Sequence, residues 1–122
     1  MFQICYFVDQ RGRIPAEEFI DSLTEKEQAK VFAYLYELKK KGFRMRRPMA
    51  EYLREGIYEL RPKDNRIFYF FFLGNNVVVL HGIKKNTKRV PDRDLKLCIV
   101  RRLLVELGSS LKNLEIGGEE NG

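Results

Sequence analysis

The chain has 122 residues, which is enough for one packed domain and too few for two of ordinary size. Hydrophobic residues make up 44% and charged residues 33%, a balance that excludes an intrinsically disordered chain. The formal net charge of +6 favours a polyanionic partner, either nucleic acid or an acidic protein, without choosing between them.

Cysteine usage and hydropathy bear on the compartment. Cys5 and Cys98 are isolated in apolar sequence, which is typical of buried thiols in a reducing compartment and gives no metal-binding spacing. The longest apolar run, residues 67–73, is too short to span a membrane, and the chain opens directly into strand-like sequence. We therefore expect a cytoplasmic protein with no membrane partner, no metal and no cofactor.

The first third of the chain predicts a strand and two helices. Residues 2–8 are rich in aromatic and β-branched side chains and end in a turn, which indicates a strand. Pro15 suits the first turn of a short helix. Thr24 and Glu27 have the spacing of a capping box, so a second helix begins there, and Gly42 ends it.

The rest of the chain predicts a meander and a last helix. Residues 43–52 are expected to be irregular and basic, and strands are expected at 57–61, 66–73 and 77–83. The turns between these strands are too short for a parallel crossover, so neighbours are antiparallel. Pro91 opens a helix whose predicted apolar face consists of Leu95, Cys98, Ile99, Leu103 and Leu107.

This order of elements predicts an α+β fold, with an N-terminal strand and two helices, an antiparallel sheet meander and a C-terminal helix. Residues 1–116 are expected to form a single domain. Residues 117–122 are expected to form a disordered tail.

The alternation of side chains along the strands predicts a charged rim on a covered sheet. Both faces of the strand at 66–73 are apolar, as in a central strand that is covered on both sides. Arg66 begins this strand, so it should contact a carboxylate or a ligand at the rim. Glu59 is the obvious carboxylate, in a pair with Arg66 or with Arg61, and such a pair is compatible with arginines that face RNA.

Basic residues cluster at the ends of neighbouring strands. Arg61, Lys63 and Arg66 surround the first hairpin, and a second group, made of Lys84, Lys85, Lys88 and Arg89, follows the third strand. Folding can bring these groups together, and gathered cations bind phosphates and stabilise charge that develops on them. The alternative is a solvated strand end that carries charge for solubility.

His81 is the single histidine, and such a residue is more often a hydrogen-bonded structural group than an acid–base catalyst.

Three segments of the chain resemble the RelE/HigB toxin superfamily, and most of all its HigB-like, phage-derived branch. They read GIYELR (56–61), NRIFY (65–69) and LHGIKKNTK (80–88), with Pro91 following. The resemblance covers residues 53–102, and the order of the elements agrees with it.

The resemblance implies a RelE-like fold and the toxin of a type II toxin–antitoxin system. Such toxins are metal-independent endoribonucleases that typically cut mRNA on the ribosome, by attack of a 2′-hydroxyl on the adjacent phosphate. The resemblance also implies a cognate antitoxin, often a helix-turn-helix DNA-binding protein encoded next door. By similarity, Arg66 and Lys84 are catalytic cations flanked by Arg61 and Lys85. We assign Glu59 and Arg61 to the catalytic residues as well, and we predict RNA-binding residues at Lys85, Lys88, Arg89, Lys63 and His81.

Two departures from the pattern leave the proton-transfer groups open. Glu59 stands where ribosome-bound RelE toxins have a lysine, although the HigB-like branch commonly has this glutamate. No tyrosine follows Lys85, where some relatives have a catalytic one. Glu59 or a lysine remains the candidate base, with His81 less favoured. The rival hypotheses are a catalytically inactive RNA- or protein-binding module of prophage origin and an unrelated basic DNA-binding protein.

Overall fold

The computed structural model describes residues 1–85 and 88–116 and contains a six-stranded mixed sheet with helices on both faces. The elements in chain order are β1 (Gln3–Phe7), α1 (Pro15–Asp21), α2 (Glu25–Lys41), a 3₁₀ turn (Gly42–Arg44), β2 (Ala50–Arg54), β3 (Ile57–Leu60), β4 (Asn65–Phe72), β5 (Asn76–Lys84), α3 (Asp92–Glu106) and β6 (Leu111–Asn113). The tail predicted at 117–122 lies outside the described residues.

The sheet has the order β2-β3-β4-β5-β1-β6. Strands β3, β4 and β5 pair antiparallel, which confirms the predicted meander. β1, however, pairs in parallel with β5, so the sheet as a whole is mixed. This pairing places the N-terminal strand beside the meander, and the parallel direction is possible because the long segment between the two strands carries both helices.

Two edge strands were not predicted. β2 occupies part of the segment that we expected to be irregular, and β6 adds only three residues beside β1. Both are short, and they form because a neighbouring strand offers unpaired backbone groups. Their own side chains give too little alternation to predict a strand.

The predicted ends of α2 are confirmed. Thr24 Oγ1 accepts a hydrogen bond from the backbone N–H of Glu27 at 3.2 Å, and the Glu27 carboxylate accepts one from the backbone N–H of Thr24 at 3.2 Å. Gly42 ends the helix with φ of 51°, a backbone conformation that favours glycine. Glu27 is thus fixed at the start of α2, which matters for the site described below.

The alternation predicted for β4 is confirmed. Ile67 and Tyr69 point into the core beneath α1 and α2, and Phe68 and Phe70 point into the core beneath α3. All four are at most 2% exposed. Tyr69 is therefore a packing residue, and its buried ring cannot stack on a nucleic-acid base. The free thiols of Cys5 and Cys98 are buried, as expected.

The apolar face predicted for α3 is wrong in its second half. Leu103 and Leu107 are 53% and 84% exposed. The buried positions of the helix are Leu95, Cys98 and Val105. Between Cys98 and Val105, the side chains that face the sheet include two arginines, which the predicted apolar face did not contain.

These arginines, Arg101 and Arg102, lie over aromatic rings of the sheet. The Arg101 guanidinium is 5.6 Å from the centre of the Phe7 ring, and that of Arg102 is 5.6 Å from the centre of the Phe70 ring. Arg101 also donates a hydrogen bond to the Leu80 carbonyl at 2.9 Å. Long arginine stems can cover apolar surface in this way, which a pattern of apolar residues does not reveal.

The close approach of α1 to β5 gives a stability prediction. A Cβ atom added at Gly82 would lie 2.3 Å from a ring carbon of Phe19. We expect Gly82→Ala to lower the free energy of unfolding by about 1–3 kcal/mol, because the ring must move out of its packed position. The loss should shrink when Phe19→Leu is also present. Urea denaturation of the four proteins measures this, and an equal loss in both backgrounds would contradict it.

Candidate functional site

A cavity of about 150 Å³ opens at one end of the sheet, where β4 begins, β5 ends and α3 begins. This volume is several times that of a water molecule. Its charged wall residues are six cations and two carboxylates, namely Arg66, Lys84, Lys85, Lys88, Arg89 and Arg93 with Glu59 and Asp94. A cavity with this excess of positive charge attracts anions such as phosphate.

Glu59 is a buried carboxylate at the base of the cavity. It lies on β3, is 3% exposed, and accepts a hydrogen bond from Arg61 Nε to Oε2 at 2.7 Å. Arg66 Nε lies 3.7 Å from its other oxygen, Oε1. The predicted pairs of Glu59 with Arg61 and with Arg66 are therefore both present. A buried carboxylate needs such partners, since an unpaired one is strongly destabilising.

The two arginines differ in what else they contact. Arg61 also pairs with Glu51 on β2, and it stands behind Glu59 instead of lining the cavity. Burial alone would lower the pKa of Arg61, but hydrogen bonds and charge from Glu59 and Glu51 outweigh it and raise that pKa. Arg61 thus holds Glu59 in place and is itself held by two carboxylates.

Arg66 lines the cavity directly. Its side chain is only 13% exposed, and its Nη1 donates to the backbone carbonyls of Lys63 at 3.0 Å and Asn65 at 2.9 Å. These contacts fix the guanidinium at the cavity wall. Its longer distance from Glu59 leaves it less fully neutralised than Arg61, so it can still attract an anion.

Lys84 connects the cavity to α2 on the other face of the sheet. Its ammonium pairs with Glu27, which also accepts a hydrogen bond from Asn65 Nδ2 at 3.2 Å. The hydrogen bond from Lys84, with those from Thr24 and Asn65, lowers the pKa of Glu27 to about 2. The Lys84 side chain remains 51% exposed, so an anion in the cavity can compete with Glu27 for it.

The sequence-predicted residues lie at this one end of the sheet, at different depths. Six of them line the cavity, namely Glu59, Arg66, Lys84, Lys85, Lys88 and Arg89. Arg61 and His81 contact residues of the wall, and Lys63 lies in a neighbouring depression that also contains Glu27. Of the first basic group, Arg66 therefore shares the cavity with the second group, whereas Arg61 and Lys63 lie beside it.

His81 is hydrogen-bonded behind the wall. Its Nε2 lies 2.8 Å from Asp94 Oδ1, and Arg101 Nη1 lies 3.3 Å from its Nδ1. Burial lowers the pKa of His81, the Arg101 charge lowers it further, and Asp94 opposes both. Sequence reasoning missed Arg93, Asp94 and Arg101. Arg93 and Asp94 stand in the first turn of α3, shortly after Pro91. Their position at this predicted helix start is the signal that could have identified them.

Two further properties hold for the described part of the chain. No helix there is long and apolar enough to cross a membrane. No group of three or more His, Cys, Asp and Glu side chains there is arranged to hold a metal ion.

The pairing of Glu27 predicts a pH-dependent stability. Because the pKa of Glu27 falls from 4.5 to about 2 on folding, its contribution to stability is present above pH 4.5 and is lost as the pH falls toward 2. Glu27→Gln should therefore be less stable than the wild type above pH 4.5, and the difference should shrink on acidification. Urea midpoints across this range measure it, with Glu25→Gln, in the same first turn of α2, as control. A difference that does not vary with pH would contradict the assignment.

Comparison with known proteins places the chain in a family. Residues 18–103 match the family described as phage-derived protein Gp49-like (DUF891), and this range covers the end of α1, all of α2, β2 to β5 and most of α3. No curated protein matches the chain. The match agrees with the resemblance noted in the sequence, at the level of the superfamily. The chain belongs to the Gp49-like family of phage-derived proteins, a member of the RelE/ParE-like toxin superfamily of type II toxin–antitoxin toxins.

Proposed function

We propose that this protein is the toxin of a type II toxin–antitoxin pair and acts as a metal-independent endoribonuclease on mRNA. The observation that carries the proposal is the cavity at the sheet end, where six cations surround a buried carboxylate and a second carboxylate. Cleavage by the 2′-hydroxyl of RNA needs an oriented ribose, a neutralised phosphate and groups that move two protons.

Arg66 and Lys84 are the cations that we assign to the scissile phosphate. Arg66 is rigidly held and can donate to a phosphate oxygen through Nη2, whereas Lys84 supplies a compact charge once it leaves Glu27. Such preorganised donors stabilise the charge of the pentacoordinate transition state more than that of the substrate. Glu59 and Arg61 position Arg66 from behind.

The flanking cations fit the RNA backbone on either side. Lys85, Lys88 and Arg89 line the outer part of the cavity, and Lys63 lies beside it. We assign them to neighbouring phosphates, where each contact adds affinity that weakens as salt increases. His81 does not line the cavity, so we assign it to supporting the RNA-binding wall from behind, through its contact with Asp94.

The family implies an antitoxin partner. We propose that the antitoxin is a helix-turn-helix DNA-binding protein encoded in the adjacent gene, and that the toxin meets its mRNA on the ribosome in the cytoplasm. The net charge of +6 favours binding to the RNA of the ribosome, and it equally favours binding to an acidic segment of the antitoxin.

One observation favours a second candidate function, binding without cleavage. Both oxygens of Glu59 face arginines, and Lys84 is paired with Glu27, so these acid–base groups are already engaged. An inactive binding module of prophage origin would retain such a paired, cationic surface. The two functions differ in whether RNA is cut.

Inducible expression in bacteria without the antitoxin separates them. We expect the wild type to stop growth and to leave mRNA fragments that end in a 2′,3′-cyclic phosphate, because the 2′-oxygen becomes bonded to phosphorus. Fragment ends are read by RNA sequencing with and without enzymatic opening of the cyclic phosphate. Normal growth with full-length messages would favour the inactive module and contradict the toxin.

Substitution of the two phosphate-binding cations tests the location of the site. Arg66→Ala and Lys84→Ala should each restore growth, with cleavage reduced by roughly 100-fold or more, as for the loss of one transition-state donor. Arg54→Ala and Lys96→Ala are matched controls, since both side chains are exposed and neither lines the cavity. Thermal melts establish that the variants fold. Undiminished toxicity in both test variants would place the site elsewhere.

A further inference from the structure

A chain of three side chains runs from the cavity wall into the interior. Asp94 lines the cavity from the first turn of α3, His81 lies behind it on β5, and Arg101 lies behind His81. The joining distances are 2.8 Å from Asp94 Oδ1 to His81 Nε2 and 3.3 Å from His81 Nδ1 to Arg101 Nη1. The side chains of Asp94 and His81 are 14% and 16% exposed.

Arg101 determines which nitrogen of His81 carries the proton. A guanidinium can only donate hydrogen bonds, so the His81 Nδ1 that faces it must present a lone pair. The proton of the neutral ring is then on Nε2, which donates to Asp94 Oδ1. Arg101 is itself fixed by its bond to the Leu80 carbonyl and its contact with the Phe7 ring.

Asp94 is thereby oriented with one oxygen held and the other available. Oδ1 accepts from His81, and within the described residues no second hydrogen bond to this carboxylate is found. Its place in the first turn of α3 puts it beside the cations of the cavity wall. A carboxylate that is held through one oxygen at the wall of the cavity is placed to accept a proton through the other.

The other acid–base candidates are engaged more fully. Glu59 is 3% exposed, with Arg61 on one oxygen and Arg66 facing the other. Lys84 is paired with Glu27, and its proposed role is to neutralise the phosphate. His81 is turned toward Asp94 and Arg101 and does not line the cavity.

We infer that Asp94 is the general base of the proposed cleavage and that His81, fixed by Arg101, is its positioning residue. The inference deepens the proposed function and rests on it. In the step, the O2′–H bond breaks and its proton goes to Asp94 Oδ2 while the O2′–P bond forms. The P–O5′ bond then breaks, and the leaving oxygen takes a proton from a lysine ammonium of the cavity. Solvent returns the proton from Asp94 to that lysine.

The first test is a comparison of Asp94→Asn with Asp92→Asn. Both remove one carboxylate from the first turn of α3, but Asp92 is exposed and does not line the cavity. The wild type is first offered an mRNA both free and bound to ribosomes. Single-turnover cleavage by the variants is then measured on whichever of these two forms the wild type cuts. We expect Asp94→Asn to be slower by roughly 100-fold or more and Asp92→Asn to match the wild type. Binding of the same mRNA with 2′-O-methyl riboses should be undiminished in both.

The second test separates positioning by His81 from acid–base work by its ring. His81→Gln retains an N–H donor for Asp94, whereas His81→Leu removes it. We expect cleavage to be retained largely by the glutamine variant and lost largely by the leucine variant. Equal loss in both would overturn the positioning role.

The third test does not depend on activity. Because the chain has one histidine, the imidazole nitrogens of ¹⁵N-histidine-labelled protein give an unambiguous NMR spectrum. We expect the neutral tautomer with the proton on Nε2, and a proton on Nδ1 would overturn the inference. A wild type that cuts no RNA contradicts the proposed function itself, whereas a wild type that cuts and an Asp94→Asn that cuts equally well contradict only this inference.

Discussion

The site depends on one buried charge, the carboxylate of Glu59. At 3% exposure it is stable only with cationic partners, and Arg61 and Arg66 supply them. This requirement holds Arg66 at the end of the sheet, where its guanidinium becomes part of the cavity wall. The charge that the core must neutralise is therefore the reason why a rigid cation faces the cavity.

Both faces of the sheet contribute to the same cavity. On one face, Glu27 at the start of α2 holds Lys84, and on the other, His81 holds Asp94 at the start of α3. Each contact joins a helix start to the end of β5. Helix starts favour carboxylates, so Glu27 and Asp94 are also stabilised by the helices that carry them.

Much of this arrangement follows from short-range patterns in the sequence. Alternation of side chains along β4 predicted that both faces of the sheet are covered. The position of Arg66 at the start of this strand predicted its pairing with Glu59. What was missed depends on distant contacts. β2 and β6 form on the edges of neighbouring strands, and Leu103 is exposed because Arg101 and Arg102 take the inward turn of α3. Asp94 gains its place only when His81 and Arg101 come together from two elements.

NMR titration with a short 2′-O-methyl oligoribonucleotide of mixed sequence tests whether RNA binds at the cationic cavity. The substituted riboses prevent cleavage, so the complex persists during measurement. Amide shifts are expected to concentrate at Arg66, at Lys84 and Lys85, and at residues 88–90 and 92–94, and to weaken as salt increases. Shifts confined to another surface, with these amides unchanged, would contradict it.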